Sequence, residues 1–389
     1  MTPVTGFFCA GSRDGEGHHC SPVKGGNIMQ LDMHYYGTYA MARAAGLKKR
    51  AARIIATASQ FVDDNADKES IDFSDGGRMD VEATAHHAYQ IKNIDREDQR
   101  QIWVPFHFLP GNRGNSYTER LVCRKDSAIA REMIRFNLSL CDQPYALPLM
   151  GITAHVYADT FSHYGFSGVS SRQNRVVNDE FRFFGLESSI EAYIRDKERK
   201  FRQDYHGEDF MENIKSWLAE KLSGALGHGA AVTFPDRPFL KWNFVYEETG
   251  KRCPTRDNPK TFREACASLH AIFSEFAERR PDCTEGSAYR DFASIRDRVT
   301  AILTTQADKK GRIRAWRDAA RGGDIFGTGA EDIPAYRADV WHKQRDRLKE
   351  KDTAHAAINT DIYRFYQAAA IHRVHVLRDL LPAHRLVVA

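Results

Sequence analysis

The chain has 389 residues, of which 42% are apolar and 28% are charged, an ordinary balance for a globular protein with a large core. Its 56 basic and 52 acidic side chains leave a formal charge of only +4, which is too small to indicate a nucleic-acid or membrane-surface partner. No run approaches the roughly 20 apolar residues that span a bilayer. Because no secretory signal is visible either, we expect a cytoplasmic protein without membrane insertion. Seven scattered cysteines without a CxxC pair favour reduced thiols.

The first residues differ in character from those that follow. Residues 1–28 are rich in Gly, Ser, Cys and His and show no helical or strand period, which predicts a disordered or non-native extension. Helical periodicity begins shortly afterwards. It predicts two antiparallel helices at 34–45 and 48–62, with Gly46 as the stop between them.

Residues 66–118 change character again, because Gly and Pro interrupt short apolar runs. We expect an irregular lobe, with strand or extended chain at 101–109, because this run mixes aromatic residues with Val. Helical periodicity returns at 127–141.

The segment PYALPLMGITAHVYADTFSHYGFSG, at 144–168, is the most informative part of the chain. Pro148 suits the first turn of a helix, and Gly165 or Gly168 suits its end. Nearly every residue between them is apolar, small or aromatic, so this helix is expected to be buried on all sides.

The rest of the chain predicts mostly charged, amphipathic helices after one Gly/Pro-rich stretch at 224–240. The predicted fold is therefore mainly α, a multi-helix bundle with an irregular lobe and long C-terminal helices. We expect a helical metal-binding core at 29–250 and a C-terminal helical region at 251–389 that packs on it. The predicted helices are 186–203, 208–223, 260–279, 287–305, 308–321, 336–350 and 354–381.

Three polar residues interrupt the apolar helix at intervals of four, namely His155, Asp159 and His163. At about 100° per residue they fall within roughly 80° of one helical face. An imidazole and a carboxylate one turn apart can bind the same ion, whereas unpaired polar groups in an apolar setting cost several kcal/mol each. The pattern indicates a metal site; the alternative is a buried His–Asp–His hydrogen-bond network.

Further candidate ligands lie at the front of the chain. His34 begins the first predicted helix, and Asp63 and Asp64 close the second. A short antiparallel connection returns the chain to its starting end, so the imidazole and these carboxylates are expected to be near one another. The alternatives are a purely structural His34 and a solvated turn at the two aspartates.

Four other histidines are weaker candidates. One of His86 and His87 is a candidate ligand, since adjacent histidines often point to opposite sides. His107 lies among aromatics and His228 between two glycines; each is otherwise a structural histidine. The helical pairs His342/Asp346 and His375/Asp379 have charged neighbours and are expected to be exposed surface pairs. The sequence contains no GxSxG, GxxxxGK[ST], HExxH, strand-borne GxGxxG or adjacent His-Asp.

The order of these candidates resembles the zinc-dependent phospholipase C and P1 nuclease group, which are all-helical hydrolases. Their motif is a His near the start, an Asp after the next helix, another His, and a helix with HxxxD followed by His. The positions that match are His34, Asp64 or Asp63, His86 or His87, His155, Asp159 and His163, with His228 as a substitute for a later ligand. The resemblance covers about residues 29–230 and implies two or three zinc ions.

A likeness that spans most of the chain is to an uncharacterised bacterial family of helical proteins. It is carried by the phrases LDMHYYGTYAMARAAG, FVDDN, WVPFHFLPGN, HVYADTFSHYGFSG and GHGAAVTFPDRPFLKW. This likeness supports the metal hypothesis and brings no established activity.

The leading hypothesis is a zinc-dependent hydrolase of a small phosphoester, most specifically a phosphodiester, with Asp64, His155 and Asp159 as catalytic residues. A nucleotide substrate is compatible with the charge. The alternative from a different class is a non-enzymatic helical scaffold that binds protein partners, with a structural metal or a buried polar network. An iron oxidase is disfavoured because the Glu-x-x-His pairs of di-iron bundles are absent.

Overall fold

The structure is a computed structural model, which describes most of the chain from residue 31 onward. At 200–206 and 349–350 only the backbone is described. The predictions for 1–28 and 208–223 lie outside the described residues, which are 31–85, 99–177, 180–206, 227, 231, 233–350 and 353–388.

The first two predicted helices are confirmed. A π-helical segment at Asp32–Gly37 continues into α1 at Thr38–Ala44, and α2 occupies Lys49–Asp64. Gly46 has φ +92°, a left-handed conformation that glycine adopts without steric cost, and it turns the chain between the helices. Asp63 therefore lies at the C-terminal end of α2.

The lobe that follows contains an antiparallel hairpin of β1 at Ser70–Asp72 and β2 at Arg78–Asp80. The prediction of extended chain at 101–109 is wrong. The structure has a π-helical segment at Gln99–Trp103 and a helical turn, α3, at Val104–Phe106. Pro105 is compatible with a first helical turn, and the aromatic side chains are buried in the interior. Burial of these side chains, rather than their strand propensity, determines the backbone conformation of this segment.

The central helix is confirmed. After a short helix α4 at Tyr117–Arg120, α5 spans Ala128–Ser139 and α6 spans Ala146–Ser162. Every residue of α6 except one is buried, as the absence of amphipathic alternation predicts. The helix ends ahead of Gly165, whose φ of +92° reverses the chain.

A second, aromatic cluster lies around a small antiparallel sheet. Strand β4 at Lys241–Asn243 pairs with β3 at Arg182–Phe184 on one side and with β5 at Arg256–Asp257 on the other. Helix α7 at Ser188–His206 borders this sheet region through Ile194, which belongs to the same aromatic cluster.

The C-terminal third is helical, as predicted. Two 3₁₀ turns at Pro281–Cys283 and Gly286–Ala288 separate its first two helices, and a π-helical segment at His375–Leu380 divides the last two. The helices are α8 at Asn258–Arg279, α9 at Phe292–Leu303, α10 at Lys309–Arg321, α11 at Ala338–Glu350, α12 at Ala354–Ala357, α13 at Asp361–Val374 and α14 at Leu381–Ala383.

Helix α6 lies at the centre of the main core and packs against α2, α5, α8 and α13. Residues from both ends of the described chain share this hydrophobic cluster, from Met33 to Val388. The mainly α fold is confirmed. Among the described helices, none combines the length and apolarity needed to cross a bilayer. The described cysteines are free thiols.

Candidate metal centre

The platform of the site is helix α6, which presents His155 and Asp159 from consecutive turns, with His163 just after its end. All three side chains are fully buried. The Oδ2 atom of Asp159 lies 3.3 Å from His155 Nε2 and 3.5 Å from His163 Nδ1. The predicted shared face is therefore present.

Helix α2 approaches α6 closely enough to contribute to the same site. A Cβ atom added at Gly151 would lie 2.4 Å from the carbonyl oxygen of Ile55 and 2.5 Å from Ala58 Cβ, so only glycine fits this crossing. The close approach puts the Ser59 carbonyl 2.7 Å from His155 Nδ1. It also places Asp63, one turn further along α2, beside the imidazole.

His107 reaches the site from the segment after α3. Its Nε2 lies 2.9 Å from the backbone oxygen of Thr84, and its Nδ1 lies 3.2 Å from His155 Nε2. A carbonyl oxygen can only accept a hydrogen bond, so Nε2 of His107 and Nδ1 of His155 carry the protons. The two nitrogens that face each other therefore present lone pairs, the arrangement that fixes metal-ligating histidines.

Three atoms form a nearly equilateral triangle at this point. The edges are 3.2 Å between the two imidazole nitrogens, 3.3 Å from His155 Nε2 to Asp159 Oδ2, and 3.4 Å from His107 Nδ1 to that oxygen. Ligands about 2.0–2.1 Å from a tetrahedral zinc ion are separated by about 3.3 Å. The Oδ1 atom of Asp63 lies 3.8 and 3.9 Å from the two nitrogens and suits a fourth position.

The chemistry of these atoms fits a cation. Neither facing imidazole nitrogen has a proton to donate to the other. Among the described residues, no hydrogen-bond donor reaches the buried Oδ1 of Asp63 or either carboxylate oxygen of Asp159. Buried acceptors without donors are costly, and a divalent ion satisfies all of them together. The donor set of imidazole nitrogen and carboxylate oxygen is one that zinc accepts.

His34 joins the cluster from the π-helical segment. Its ring stacks on that of His155 with centroids 3.9 Å apart, and its Nε2 lies 3.3 Å from Asp159 Oδ1. His34 is 1% exposed, and neither of its nitrogens has a hydrogen-bond partner in the part of the chain that the structure describes. The two oxygens of Asp159 therefore face different imidazoles. Oδ1 lies beside His34, and Oδ2 lies beside His155 and His107.

His163 has a different role from the one its spacing predicts. Its Nδ1 donates to the His107 carbonyl at 2.8 Å, and its Nε2 lies 3.1 Å from Asp236 Oδ1. Burial alone would lower the pKa of His163, but the carboxylates of Asp159 and Asp236 outweigh it and raise the pKa to about 9. Both nitrogens then carry protons, so this imidazolium neutralises charge beside the ligands.

Asp236 is the participant that sequence reasoning misses. It is fully buried in the turn Phe234-Pro235-Asp236-Arg237-Pro238, far along the chain from the histidines. The only local signal is a carboxylate flanked by prolines and aromatic residues. Helical spacing cannot identify such a residue, because the turn reaches the site through tertiary contacts.

The titration behaviour of the remaining groups agrees with neutral imidazole ligands. Burial and the neighbouring His34 lower the pKa of His155 to about 4, and burial lowers that of His107. Burial opposes ionisation of Asp159, yet the imidazoles of His163 and His155 hold its pKa well below the usual range. Burial and the charge of Asp159 raise the pKa of Asp63 well above its usual range. A cation beside Asp63 would reverse that last shift.

Asp64, which the sequence hypothesis ranks with the catalytic residues, lies off the cluster. Its carboxylate accepts a hydrogen bond from the hydroxyl of Tyr336, so it stabilises the contact between α2 and the C-terminal region. Asp63 takes its place, because consecutive residues at the end of a helix point about 100° apart. The candidates His86, His87 and His228 lie outside the described residues.

The two C-terminal His/Asp pairs match the predicted exposed surface pairs only in part, because Asp346 and Asp379 are exposed whereas the histidines are half-buried. The side chain of His375 is 14% exposed and stacks on Phe136, with centroids 3.4 Å apart. His342 is half-buried and packs at 5.1 Å from the ring of Phe61. Aromatic packing explains both imidazoles, and among the described residues neither belongs to a group that could hold an ion.

Two overlapping groups of the described residues could hold a metal ion. One consists of His34, Asp63 and His155, and the other of His107, His155 and Asp159. Both contain His155, so the five side chains form one centre.

Comparisons with known proteins identify a family and no activity. A family described as "Family of unknown function (DUF6765)" matches residues 29–380. Neither the comparison with curated proteins nor that with solved structures found a match.

Proposed function

The chain belongs to this family of unknown function, and from the geometry of its buried centre we propose that it is a metal-dependent hydrolase of a phosphoester, most specifically a phosphodiester. The observation that carries the proposal is the pair of imidazole lone pairs, of His107 and His155, that face each other across 3.2 Å beside Asp159. We propose zinc as the ion, with one or more bound. A divalent ion held there supplies Lewis acidity, which lowers the pKa of a water molecule toward neutrality and stabilises charge on a phosphoryl oxygen.

The side chains around the ion have distinct parts in this proposal. His155 and His107 are oriented by the carbonyl groups of Ser59 and Thr84, so the nitrogens that face the ion remain unprotonated. One oxygen of Asp159 lies beside the nitrogens of these imidazoles, where it would share the ion with them, and the other oxygen lies beside His34. Asp63 completes the donor set and replaces Asp64 as the predicted catalytic carboxylate.

The order of ligands along the chain supports the comparison with zinc-dependent phospholipase C and P1 nuclease. A His near the start, an Asp at the end of the next helix, another His and a helix with HxxxD occur as His34, Asp63, His107, His155 and Asp159. His107 occupies the place for which the sequence offers His86 or His87. The kinship itself remains a proposal.

The test of the enzymatic proposal combines metal analysis with turnover of an aryl phosphodiester by the full chain, purified without an affinity tag. We expect at least one equivalent of divalent metal, and turnover that chelation abolishes and zinc restores. Asp159→Asn should lose turnover by about a hundredfold or more, a typical cost of removing a group that stabilises the transition state. Bound metal together with turnover that Asp159→Asn leaves unchanged would reject the hydrolase.

A matched control separates the centre from the rest of the core. His372 is a fully buried histidine whose Nε2 lies 2.9 Å from the Pro105 carbonyl, outside the ligand set. His372→Gln should retain both the metal and the turnover. A loss of turnover equal to that of Asp159→Asn would mean that the assay reports general damage to the core.

The burial of the ligands favours a second candidate, a scaffold with a structural metal. The side chains of His34, His107, His155 and Asp159 are at most 1% exposed, and that of Asp63 is 5% exposed. Structural metal sites are typically closed in this way. Chelation should then lower the melting temperature by many degrees in a protein without turnover, whereas an enzyme should show metal-dependent turnover.

A further inference from the structure

The turn that contains Asp236 also contains a buried cation without a carboxylate partner. Arg237 is 3% exposed. Its Nε and Nη2 lie 3.3 and 3.1 Å from the Thr233 hydroxyl, and its Nη1 has no hydrogen-bond partner among the described residues. The guanidinium lies 5.4 Å from the ring centroid of Tyr193. Within the part of the chain that the structure describes, no carboxylate oxygen lies within 4.0 Å of it.

Two other buried arginines of this protein show what Arg237 lacks. Arg43 is held by both oxygens of Glu331, at 3.0 and 2.6 Å, and Arg312 by both oxygens of Asp32, at 2.8 and 3.2 Å. A buried charge without a counter-ion is strongly destabilising, whereas these bidentate pairs neutralise it. Arg256 is also buried without a carboxylate partner, but it donates to the backbone oxygens of Tyr164 and Ser162. Arg237 is held by a single hydroxyl, so its Nη1 is available to an anion from outside the described chain.

The position of Arg237 connects it to the metal centre. The preceding residue, Asp236, is hydrogen-bonded to His163 at 3.1 Å, and His163 lies 3.5 Å from Asp159. The ion pair of Arg312 with Asp32 lies at the start of the π-helical segment that contains His34. The turn is therefore joined to the centre by the hydrogen bond between His163 and Asp236 and by the close contact of His163 with Asp159.

The chemistry of the guanidinium indicates which anion suits this position. Planar guanidinium groups bind phosphoryl oxygens in a bidentate manner through parallel N–H groups. The buried Nη1 of Arg237, which has no hydrogen-bond partner among the described residues, therefore suits a phosphoryl oxygen.

We propose that Arg237 is the anion-binding residue of the centre and holds the phosphoryl group of the substrate through Nη1. This inference rests on the proposed function, because it names the group that binds the charged part of the phosphoester. Thr233 and Tyr193 orient the guanidinium, and no protein carboxylate competes for it among the described residues.

Inorganic phosphate is the probe, and its binding to the full, metal-loaded chain is measured by calorimetry and by the shift of the melting temperature. We expect Arg237→Gln to weaken phosphate binding at least about tenfold and to raise the KM of the phosphodiester more than it lowers kcat. Arg237→Lys should recover part of the affinity, since it keeps the charge without the planar fork. The exposed Arg182→Gln is the matched control and should bind phosphate as the parent chain does.

A structural role for Arg237 gives the opposite results. In phosphate-free buffer Arg237→Gln should unfold no earlier than the parent chain, because it removes an unpaired buried charge. If it unfolds well before the parent, or if it keeps its metal and binds phosphate with unchanged affinity, the inference is overturned.

Failure of the proposed function is distinguishable from failure of this inference. A chain without metal or turnover contradicts the hydrolase alone, and phosphate binding to the metal-free protein then tests Arg237 directly. If the metal-free protein binds phosphate and neither Arg237→Gln nor Arg237→Lys changes the affinity, the inference is also overturned. Should Arg237→Gln not fold, the same comparison is made with Arg237→Lys, which is expected to bind phosphate several-fold more weakly than the parent.

Discussion

His107 Nδ1 and His155 Nε2 lie 3.2 Å apart in a fully buried site, and each ring donates its other N–H group to a backbone carbonyl. Two lone pairs that face each other repel unless a proton or a metal ion lies between them. Burial lowers the pKa of both rings, that of His155 to about 4, so a shared proton is disfavoured near neutral pH. The two facing nitrogens therefore favour a metal ion between them.

Asp63 and Asp64 are adjacent in sequence but differ in position, which allows a matched comparison. Asp63→Asn should weaken metal binding by at least about tenfold, because outer-sphere substitutions alone cost that much. Asp64→Asn should bind metal as the parent chain does, since the Asp64 carboxylate accepts a hydrogen bond from Tyr336 instead. Competition with a chromogenic chelator measures both affinities. Equal losses in the two variants would contradict the assignment of Asp63.

The crossing of α2 and α6 at Gly151 should be sensitive to a single methyl group. Gly151→Ala places a Cβ atom 2.4 Å from the Ile55 carbonyl oxygen, which forces the helices apart. We expect the free energy of unfolding to fall by about 1–3 kcal/mol, with weaker metal binding because His155 moves away from Asp63. Urea unfolding measures the stability. Gly286→Ala is the control, since nothing lies within 4 Å of its added Cβ, and a similar loss there would refute the explanation.

His372 gives the protein a stability that depends on pH. Burial lowers its pKa from 6.5 to about 4, so the unfolded chain binds its proton first as the pH falls. The stability from this group is complete above pH 6.5 and is lost as the pH falls toward 4, by on the order of 3 kcal/mol.

Unfolding of the metal-free chain and of His372→Gln, measured between pH 7 and pH 4, tests this dependence. The variant should lose less stability than the parent over that range. His355→Gln changes an exposed histidine and should behave as the parent chain does. Parallel pH profiles for the parent and His372→Gln would exclude a contribution from His372.

The buried ion pair of Asp32 and Arg312 anchors the segment with His34 to α10. Arg312→Met should lower the free energy of unfolding by about 3–5 kcal/mol, because the Asp32 carboxylate remains buried without its partner. The exposed pair of Arg337 and Asp339 offers a control, since Arg337→Met should leave the free energy of unfolding nearly unchanged. Denaturant titration measures the free energy of unfolding of both variants. Similar losses would show that breaking the buried pair destabilises the protein no more than breaking the exposed one.

Local patterns along the chain predicted a large part of the fold. Helix α6 was visible as an apolar stretch with His155 and Asp159 one turn apart, and the short turn at Gly46 predicted the antiparallel pair that carries His34 and Asp63. The amphipathic C-terminal helices were likewise predicted from their periodicity. In each case the period of the helix, 3.6 residues, determines which side chains share a face, and sequence spacing alone reveals it.

Only the tertiary structure decided which candidates meet. Asp63 rather than Asp64 faces the imidazoles of His107 and His155. His107 comes from a segment that is helical rather than extended, and the Nε2 atom of His163 pairs with Asp236. These outcomes depend on where one helix crosses another and on which backbone carbonyl lies next to a ring. Such contacts join residues that are far apart in the chain, and packing sets their geometry.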